Sequence, residues 1–92
     1  MSNVTITELD PGHFGVQVTE GDATTSHRVD LSDEFLADLG VNDADHDRIV
    51  EETFAFLLER EPHTSIMEEF TLADVTRFFP EFPDELRDRL GG

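Results

Sequence analysis

Four histidines and 22 carboxylates are the side chains of this chain that are best suited to chemistry. A zinc or iron site needs ligands that converge, often a histidine pair at i, i+3 or i, i+4 on one helix. No two of the histidines have that spacing; they are His13, His27, His46 and His63. The densest group is the stretch DADHD, residues 43–47, which can hold a cation loosely. The same acids also suit a helix start, where the helix dipole favours negative charge. We therefore predict no metal and no other cofactor, with a weak metal site as an alternative.

The motifs of the common enzyme classes are missing from the sequence. It contains no G-x-S-x-G elbow, no P-loop and no H-E-x-x-H. Its carboxylate pairs, such as Glu51 with Glu52, are neighbours on predicted helices, so their side chains diverge. The chain has no cysteine, which excludes disulfides, thiolate metal sites and a cysteine nucleophile. We predict a protein that is not an enzyme and has no catalytic residue, and a small enzyme remains a further alternative.

Two glycines, Gly91 and Gly92, end the sequence after the segment PDELRDRL. In this ending, in its small size and in its acidity the chain resembles the small archaeal ubiquitin-like modifiers. That resemblance implies a conjugation tail whose terminal carboxylate is activated. Those modifiers have the β-grasp fold, in which the diglycine follows a strand, whereas here it follows a helix-like segment. We favour a glycine that stops a helix, and we keep the modifier as the alternative function.

The charge of the chain is strongly negative, −16 over 92 residues, and all six basic residues are arginines. The acids are scattered through every segment. This lysine-free composition resembles that of cytosolic proteins from halophilic archaea, because molar salt shortens the Debye length to about 3 Å and screens carboxylate repulsion. A rival interpretation is a partner-binding surface, such as a nucleic-acid mimic. We expect no nucleic-acid partner, since the only close basic pair, Arg87 and Arg89, is interleaved with acids.

The sequence predicts a soluble cytoplasmic protein without a membrane partner. Its first residues, MSNVTITELDPG, lack the basic and apolar regions of a signal peptide. The longest strongly apolar run, FAFLL, is far too short to span a bilayer.

The first third of the chain alternates apolar and polar residues, as strands do. The runs NVTITEL and FGVQVTE are rich in β-branched residues and are separated by the turn dipeptide of Pro11 and Gly12. Gly21 and Asp22 form a second turn before ATTSHRVDL, a more polar run that we place at the sheet edge. Residues 3–31 are therefore predicted to form a three-stranded antiparallel meander.

Residues 32–90 show helical spacing and start signals, which predict three to five helices packed on one face of the sheet. The main helix runs through DADHDRIVEETFAFLLERE. Its broad apolar stripe is predicted to consist of Ile49, Val50, Phe54, Leu57 and Leu58, and Phe56 widens it. The other start and stop residues are Ser32, Gly40, Asn42 with Asp45, Pro62, Ser65, Thr71 with Asp74, Pro80 and Pro83. Ser65 is predicted to open a one-turn helix, IMEEF. No strand is expected after residue 31. Residues 1–92 form one α+β domain, with strands first and helices after.

The helical half carries a specific pattern, FLLEREPHTSIMEEFTLADVTRFFPEFP, over residues 56–83. It resembles a small prokaryotic protein family in which an N-terminal strand pair or meander precedes a FLLERE-P…SI…F-L…FPE half. The likeness covers most of the chain. It implies the fold, and it brings no activity, catalytic residue or ligand.

Phenylalanines are numerous for so small a domain, eight in all. We expect some to stay exposed after a thin core is filled, and exposed apolar patches mark contact surfaces. The predicted interaction surface consists of Phe56, Phe70, Phe78, Phe79 and Phe82. The function predicted from the sequence is a non-enzymatic protein-interaction module with an unidentified protein partner. A homodimer, joined through the helical half or through an edge strand, is a second expectation.

Overall fold

A computed structural model describes residues 2–41 and 43–91. Three consecutive strands and one later strand form a sheet, and the helices lie before and after that later strand. The elements are β1 (Ser2–Asp10), β2 (His13–Glu20), β3 (Ala23–Asp30), α1 (Asp33–Leu39), α2 (His46–Arg60), a 3-10 turn (His63–Ser65), β4 (Glu69–Thr71), α3 (Leu72–Phe78) and α4 (Phe82–Arg89). The α+β class is confirmed. The details differ from the prediction in the number of strands and in the helix count.

The first three strands form the predicted antiparallel meander, because alternation sends one set of side chains inward. Along β2 the residues Phe14, Val16 and Val18 are fully buried. The turn between β1 and β2 needs a glycine at position 12, where φ is +81° and a Cβ atom would lie 3.1 Å from the carbonyl oxygen of Leu31. The Gly12 carbonyl accepts a hydrogen bond from the Leu31 N–H at 2.7 Å, which fixes where β3 ends.

A fourth strand corrects the prediction that no strand follows residue 31. β4 pairs in parallel with the end of β3, with Val29 opposite Phe70. β3 is therefore an inner strand, not the predicted edge, and the sheet order is β1-β2-β3-β4. The segment IMEEF was predicted to be a helical turn opened by Ser65, but Ser65 ends the 3-10 turn. The segment is extended because Phe70 turns inward against the Phe54 ring, 5.8 Å between centroids, and three residues are too few to show a period in the sequence.

The short helices α1 and α3 begin as their capping residues predict. The Ser32 hydroxyl accepts from the N–H of residue 35, and Gly40 ends α1 with φ +80°. At α3 the Asp74 N–H donates to the Thr71 hydroxyl at 3.2 Å, and the Thr71 N–H donates to the Asp74 carboxylate at 3.0 Å. This capping box satisfies two backbone N–H groups that a helix start leaves free.

The longer helices differ in their starts. α2 begins at His46 with Asp45 as N-cap, later than predicted, and the predicted cap Asn42 lies outside the described residues. α4 begins at Phe82, and Pro83 lies in its first turn, where its missing N–H costs nothing.

The core lies between the sheet and α2, with α4 packed on α2. The apolar stripe of α2, from Ile49 to Leu57, is buried, and so are Phe82 and Leu86 of α4. Among the described residues the only buried polar side chains are His27, Thr53 and His63, so no described carboxylate is buried. Charge repulsion is thus confined to the surface, where salt screens it.

An ion pair ties the end of α4 to α2. The Arg89 Nη2 atom lies 2.7 and 2.8 Å from the two carboxylate oxygens of Glu59. The hydrogen bond between these two side chains lowers the pKa of Glu59 and raises the pKa of Arg89. Because the Glu59 pKa is lower in the folded chain, the pair stabilises the fold above the ordinary carboxyl value of 4.5, and this stabilisation is lost as pH falls through the folded value.

We therefore expect Glu59→Gln to lower the free energy of unfolding at neutral pH and to have a vanishing effect in acid. The measurement is urea unfolding of native and variant protein from about pH 7 to about pH 3, at low salt so that screening does not mask the pair. Glu51→Gln is the matched control, since Glu51 is an exposed acid on the same helix. A Glu59→Gln effect that stays constant over the whole pH range would contradict the assignment.

Candidate functional site

An apolar groove lies between the C-terminal end of α2 and α3, and we call it the α2–α3 groove. It encloses about 260 Å³. Its lining residues are Leu57, Glu61, Ser65, Ile66, Met67, Phe70, Val75, Phe78 and Phe79. The segment after the 3-10 turn forms one wall, and α3 forms the other. Seven of these nine side chains are apolar, so the groove is suited to apolar groups.

Three of the five predicted contact phenylalanines line this groove. Phe78 is 67% exposed at its rim, Phe79 is half-buried, and Phe70 is buried at its base. The structure thus brings these three together from β4 and from the end of α3. Phe78 and Phe79 are accessible to a partner, whereas Phe70 is buried and forms the base of the groove.

The other two predicted contact residues, Phe56 and Phe82, lie in the core. Both are fully buried, with ring centroids 5.0 Å apart. Phe56 lies at one flank of the α2 stripe, and α4 covers that flank. The Arg60 guanidinium lies 3.6 Å from the Phe56 ring centroid, a cation–π contact that closes the other side. A partner cannot reach either ring in this fold, so both are removed from the predicted surface.

Sequence reasoning missed Leu57, Ile66 and Met67 as parts of the site. Leu57 was assigned to the core stripe, and it is both buried and a groove wall. Met67 is 38% exposed and stands opposite α3. The only signal for the pair at 66–67 was an apolar dipeptide a few residues after Pro62, with no period to assign it to a face.

The electrostatics of the groove are simple. Glu61 is the only charged residue among those that line it. Arg77, beside Phe78, is exposed, and its guanidinium lies 3.8 Å from the Asp74 carboxylate. The groove therefore presents an apolar surface with a carboxylate at its α2 end.

A hydrogen-bonded histidine cluster supports the wall of the groove. The Thr25 hydroxyl oxygen lies 2.8 Å from Nε2 of His27 and 2.8 Å from Nδ1 of His63. Nδ1 of His27 lies 2.8 Å from the backbone carbonyl of Met67. A Glu20 carboxylate oxygen stands 3.6 Å from Nε2 of His63. Both histidines are 5% exposed, so the three hydrogen bonds replace water for groups that cannot reach it, while Glu20 is only a nearby charge.

The backbone carbonyl of Met67 fixes the position of one hydrogen in this cluster. A carbonyl only accepts, so Nδ1 of His27 carries a hydrogen and donates to Met67. With both rings neutral, Nε2 of His27 accepts from the Thr25 hydroxyl and the hydroxyl oxygen accepts from Nδ1–H of His63. Nε2 of His63 then carries no hydrogen and makes no hydrogen bond to Glu20. The cluster links β3 to the 3-10 turn and to Met67, and thus fixes the wall that faces α3.

The sequence did not predict this cluster, because its histidines were compared only at the ligand spacings of one helix. Thr25 and His27 share a face of β3, which alternation predicts. His63 joins them only because the parallel pairing of β4 brings its segment beside β3. Of the other histidines, His13 bonds Asp30, with 2.5 Å between Nδ1 and Oδ1, and His46 contacts the edge of the Phe14 ring.

The DADHD stretch does not gather metal ligands. Over residues 2–41 and 43–91 no group of three histidine, aspartate or glutamate side chains is placed to hold a metal ion. Asp45 is the N-cap residue of α2. At the other end of the chain, α4 ends at Arg89 with Leu90 as its cap, and Gly91 follows with φ +85°; the Gly91 N–H donates to the Asp88 carbonyl, with 3.1 Å between nitrogen and oxygen. Gly92 lies outside the described residues, so the conjugation tail stays a prediction.

Comparisons with models of known protein families, with curated proteins and with solved structures gave no match. Within the part of the chain that the structure describes, no helix has the length and apolar character to cross a membrane. The α2–α3 groove is therefore the basis on which a function can be proposed.

Proposed function

We propose that the protein is a non-enzymatic interaction module that binds an apolar segment of another protein in the α2–α3 groove. The observation that carries this proposal is the exposure of Phe78 and Met67. The large apolar side chains exposed in the described residues are Leu9, Met67 and Phe78, and two of these three border one groove. Large exposed apolar groups beside a concave apolar surface mark a contact site.

The size of the groove favours side chains over a small-molecule ligand. Its volume of about 260 Å³ is below the range of about 300–1,000 Å³ that is usual for ligand pockets. One or two large apolar side chains of a partner would fill it as anchors. Met67 suits this task, because an unbranched thioether adapts to different shapes.

Charge defines the rest of the partner. The chain carries −16, and Glu61 lies at the groove itself. An approaching acidic segment is repelled, whereas lysine or arginine beside the anchors is attracted. We therefore assign to the groove a short segment with one or two large apolar anchors and basic flanks. In the salt-rich cytoplasm that the composition favours, the apolar anchors supply most of the affinity, since salt screens the charges.

A fluorescent peptide tests this proposal directly, because the chain contains neither tryptophan nor tyrosine. The probe is a synthetic helix-forming peptide with a tryptophan and a leucine at i, i+4 and with arginine flanks. Its tryptophan emission is expected to shift to the blue when the protein is added. A peptide with glutamate flanks is expected to bind more weakly at about 0.15 M salt, and the difference is expected to shrink at molar salt.

Phe78→Ser is expected to weaken binding of the arginine-flanked peptide by at least about tenfold, the effect of losing one anchor contact. Leu9→Ser is the matched control, since Leu9 is 51% exposed and lies on β1, away from the groove. Equal losses in both variants, or no shift with any peptide, would refute the proposal. Light scattering of the free protein tests whether a second copy occupies the groove. Self-association that Phe78→Ser abolishes would assign the groove to a second copy.

A further inference from the structure

β1 is a long open edge of the sheet. It spans Ser2–Asp10, pairs with no strand other than β2 within residues 2–41 and 43–91, and stands first in the strand order. The opposite edge, β4, has three residues and leads directly into α3. A free edge presents a row of unpaired N–H and C=O groups, which another strand can complete.

Edge strands are usually protected by lysine, proline, an inward charge or a bulge. In β1 such features occur only at the turn end, where Glu8 pairs with the core residue Phe14 and the register shifts. Residues 2–7 contain no charge and no proline, although 30% of the chain is charged. The one irregularity in the β1–β2 register lies between Glu8 and Asp10, beside the turn.

The core face of β1 is also incompletely covered. Val4 and Ile6 are only half-buried, whereas their partners on β2, Val18 and Val16, are fully buried. Two apolar side chains at the free edge are thus left partly open to water, at the place where a further strand would cover them.

We propose that β1 pairs in antiparallel orientation with β1 of a second copy, so that two four-stranded sheets join into one. A register centred on Thr5 places Val4 opposite Ile6 on the core face and Glu8 opposite Ser2. No carboxylate then faces another across the new pairing. In the alternative register centred on Ile6, the two strands would slide by two residues and Glu8 would stand opposite Val4.

The register, not the net charge, selects a second copy as the occupant, because residues 2–7 pair with themselves in antiparallel orientation and no carboxylate then stands opposite another. Each copy carries −16, and β1 offers an uncharged stretch along which two such copies can approach. Molar salt screens the remaining repulsion between the two surfaces. The interface is isologous, with Thr5 at the twofold axis, and it is independent of the α2–α3 groove.

The absence of cysteine makes this pairing testable by cross-linking. Thr5→Cys places one thiol on the solvent face of β1, and in the proposed dimer the two thiols stand opposite each other, about 5 Å apart between Cβ atoms. Gln17→Cys is the matched control, because Gln17 is the β2 partner of Thr5 and is exposed on the same face. Two copies of residue 17 would be three strand spacings apart, about 14 Å.

At molar salt we expect a short bis-maleimide to convert most of the Thr5→Cys protein into a covalent dimer and to leave Gln17→Cys monomeric. Sedimentation of the unmodified protein should show a dimer under the same conditions. A strict monomer, or equal cross-linking of the two variants, would overturn the pairing and leave the groove proposal intact. Efficient cross-linking of Phe78→Cys in place of Thr5→Cys would instead move the contact to the groove and contradict both proposals.

Discussion

Replacing Phe56 by alanine is expected to destabilise the domain by about 3–5 kcal/mol, the usual cost of removing a buried phenyl ring. Phe56 is fully buried, with the Phe82 ring centroid at 5.0 Å and that of Phe79 at 5.7 Å. The substitution opens a cavity between α2 and α4 and removes the ring that faces the Arg60 guanidinium. Because domains of this size have only about 5–15 kcal/mol of total stability, much of the variant should be unfolded in mild urea.

Phe78→Ala is the matched control for this experiment. It deletes the same ring from a side chain that is 67% exposed, so the expected change is within about 0.5 kcal/mol. Urea unfolding followed by circular dichroism measures both variants at constant salt. Similar losses in the two would contradict the packing of Phe56. A folded Phe78→Ala protein that no longer binds the arginine-flanked peptide would separate the contact surface from the core.

The contrast between these two residues shows how far the sequence could predict the site. Spacing correctly put Ile49 and Phe54 on the inner face of α2, and Phe56 was seen to widen that stripe. The spacing could not show that α4 would cover Phe56, because the covering depends on how α2 and α4 pack against each other. A count of phenylalanines predicted surplus rings, but only the folded chain shows that Phe78 is the exposed one.

Structure that depends on neighbouring residues was predicted correctly, whereas structure that depends on distant residues was missed. The capping box of Thr71 and Asp74 and the stop at Gly40 are local, and both were predicted correctly. β4 depends on pairing with a strand some forty positions earlier in the chain, so nothing in its three residues announces it. The histidine cluster could not be predicted for the same reason, since His63 reaches Thr25 only after β4 has paired with β3.

Replacing Thr25 by valine is expected to cost about 2–4 kcal/mol, because the hydroxyl satisfies two buried ring nitrogens and each orphaned polar atom costs about 1–3 kcal/mol. Valine keeps the shape and the strand propensity of threonine, so packing is nearly unchanged. The loss therefore reports the hydrogen bonds to His27 and His63. Thr24→Val, the same change at an exposed neighbour, is expected to stay within about 0.5 kcal/mol.

The region of the chain that Thr25→Val destabilises is as informative as the size of the stability loss. If the cluster fixes the groove wall, hydrogen exchange in Thr25→Val should accelerate first around residues 63–67, and peptide affinity should fall before the domain unfolds. Uniform acceleration across the sheet, with peptide binding unchanged in the folded fraction, would mean that the cluster serves general stability alone. Local acceleration would show that these histidines order the surface that the partner meets, because their hydrogen bonds tie the 3-10 turn and the Met67 backbone to β3.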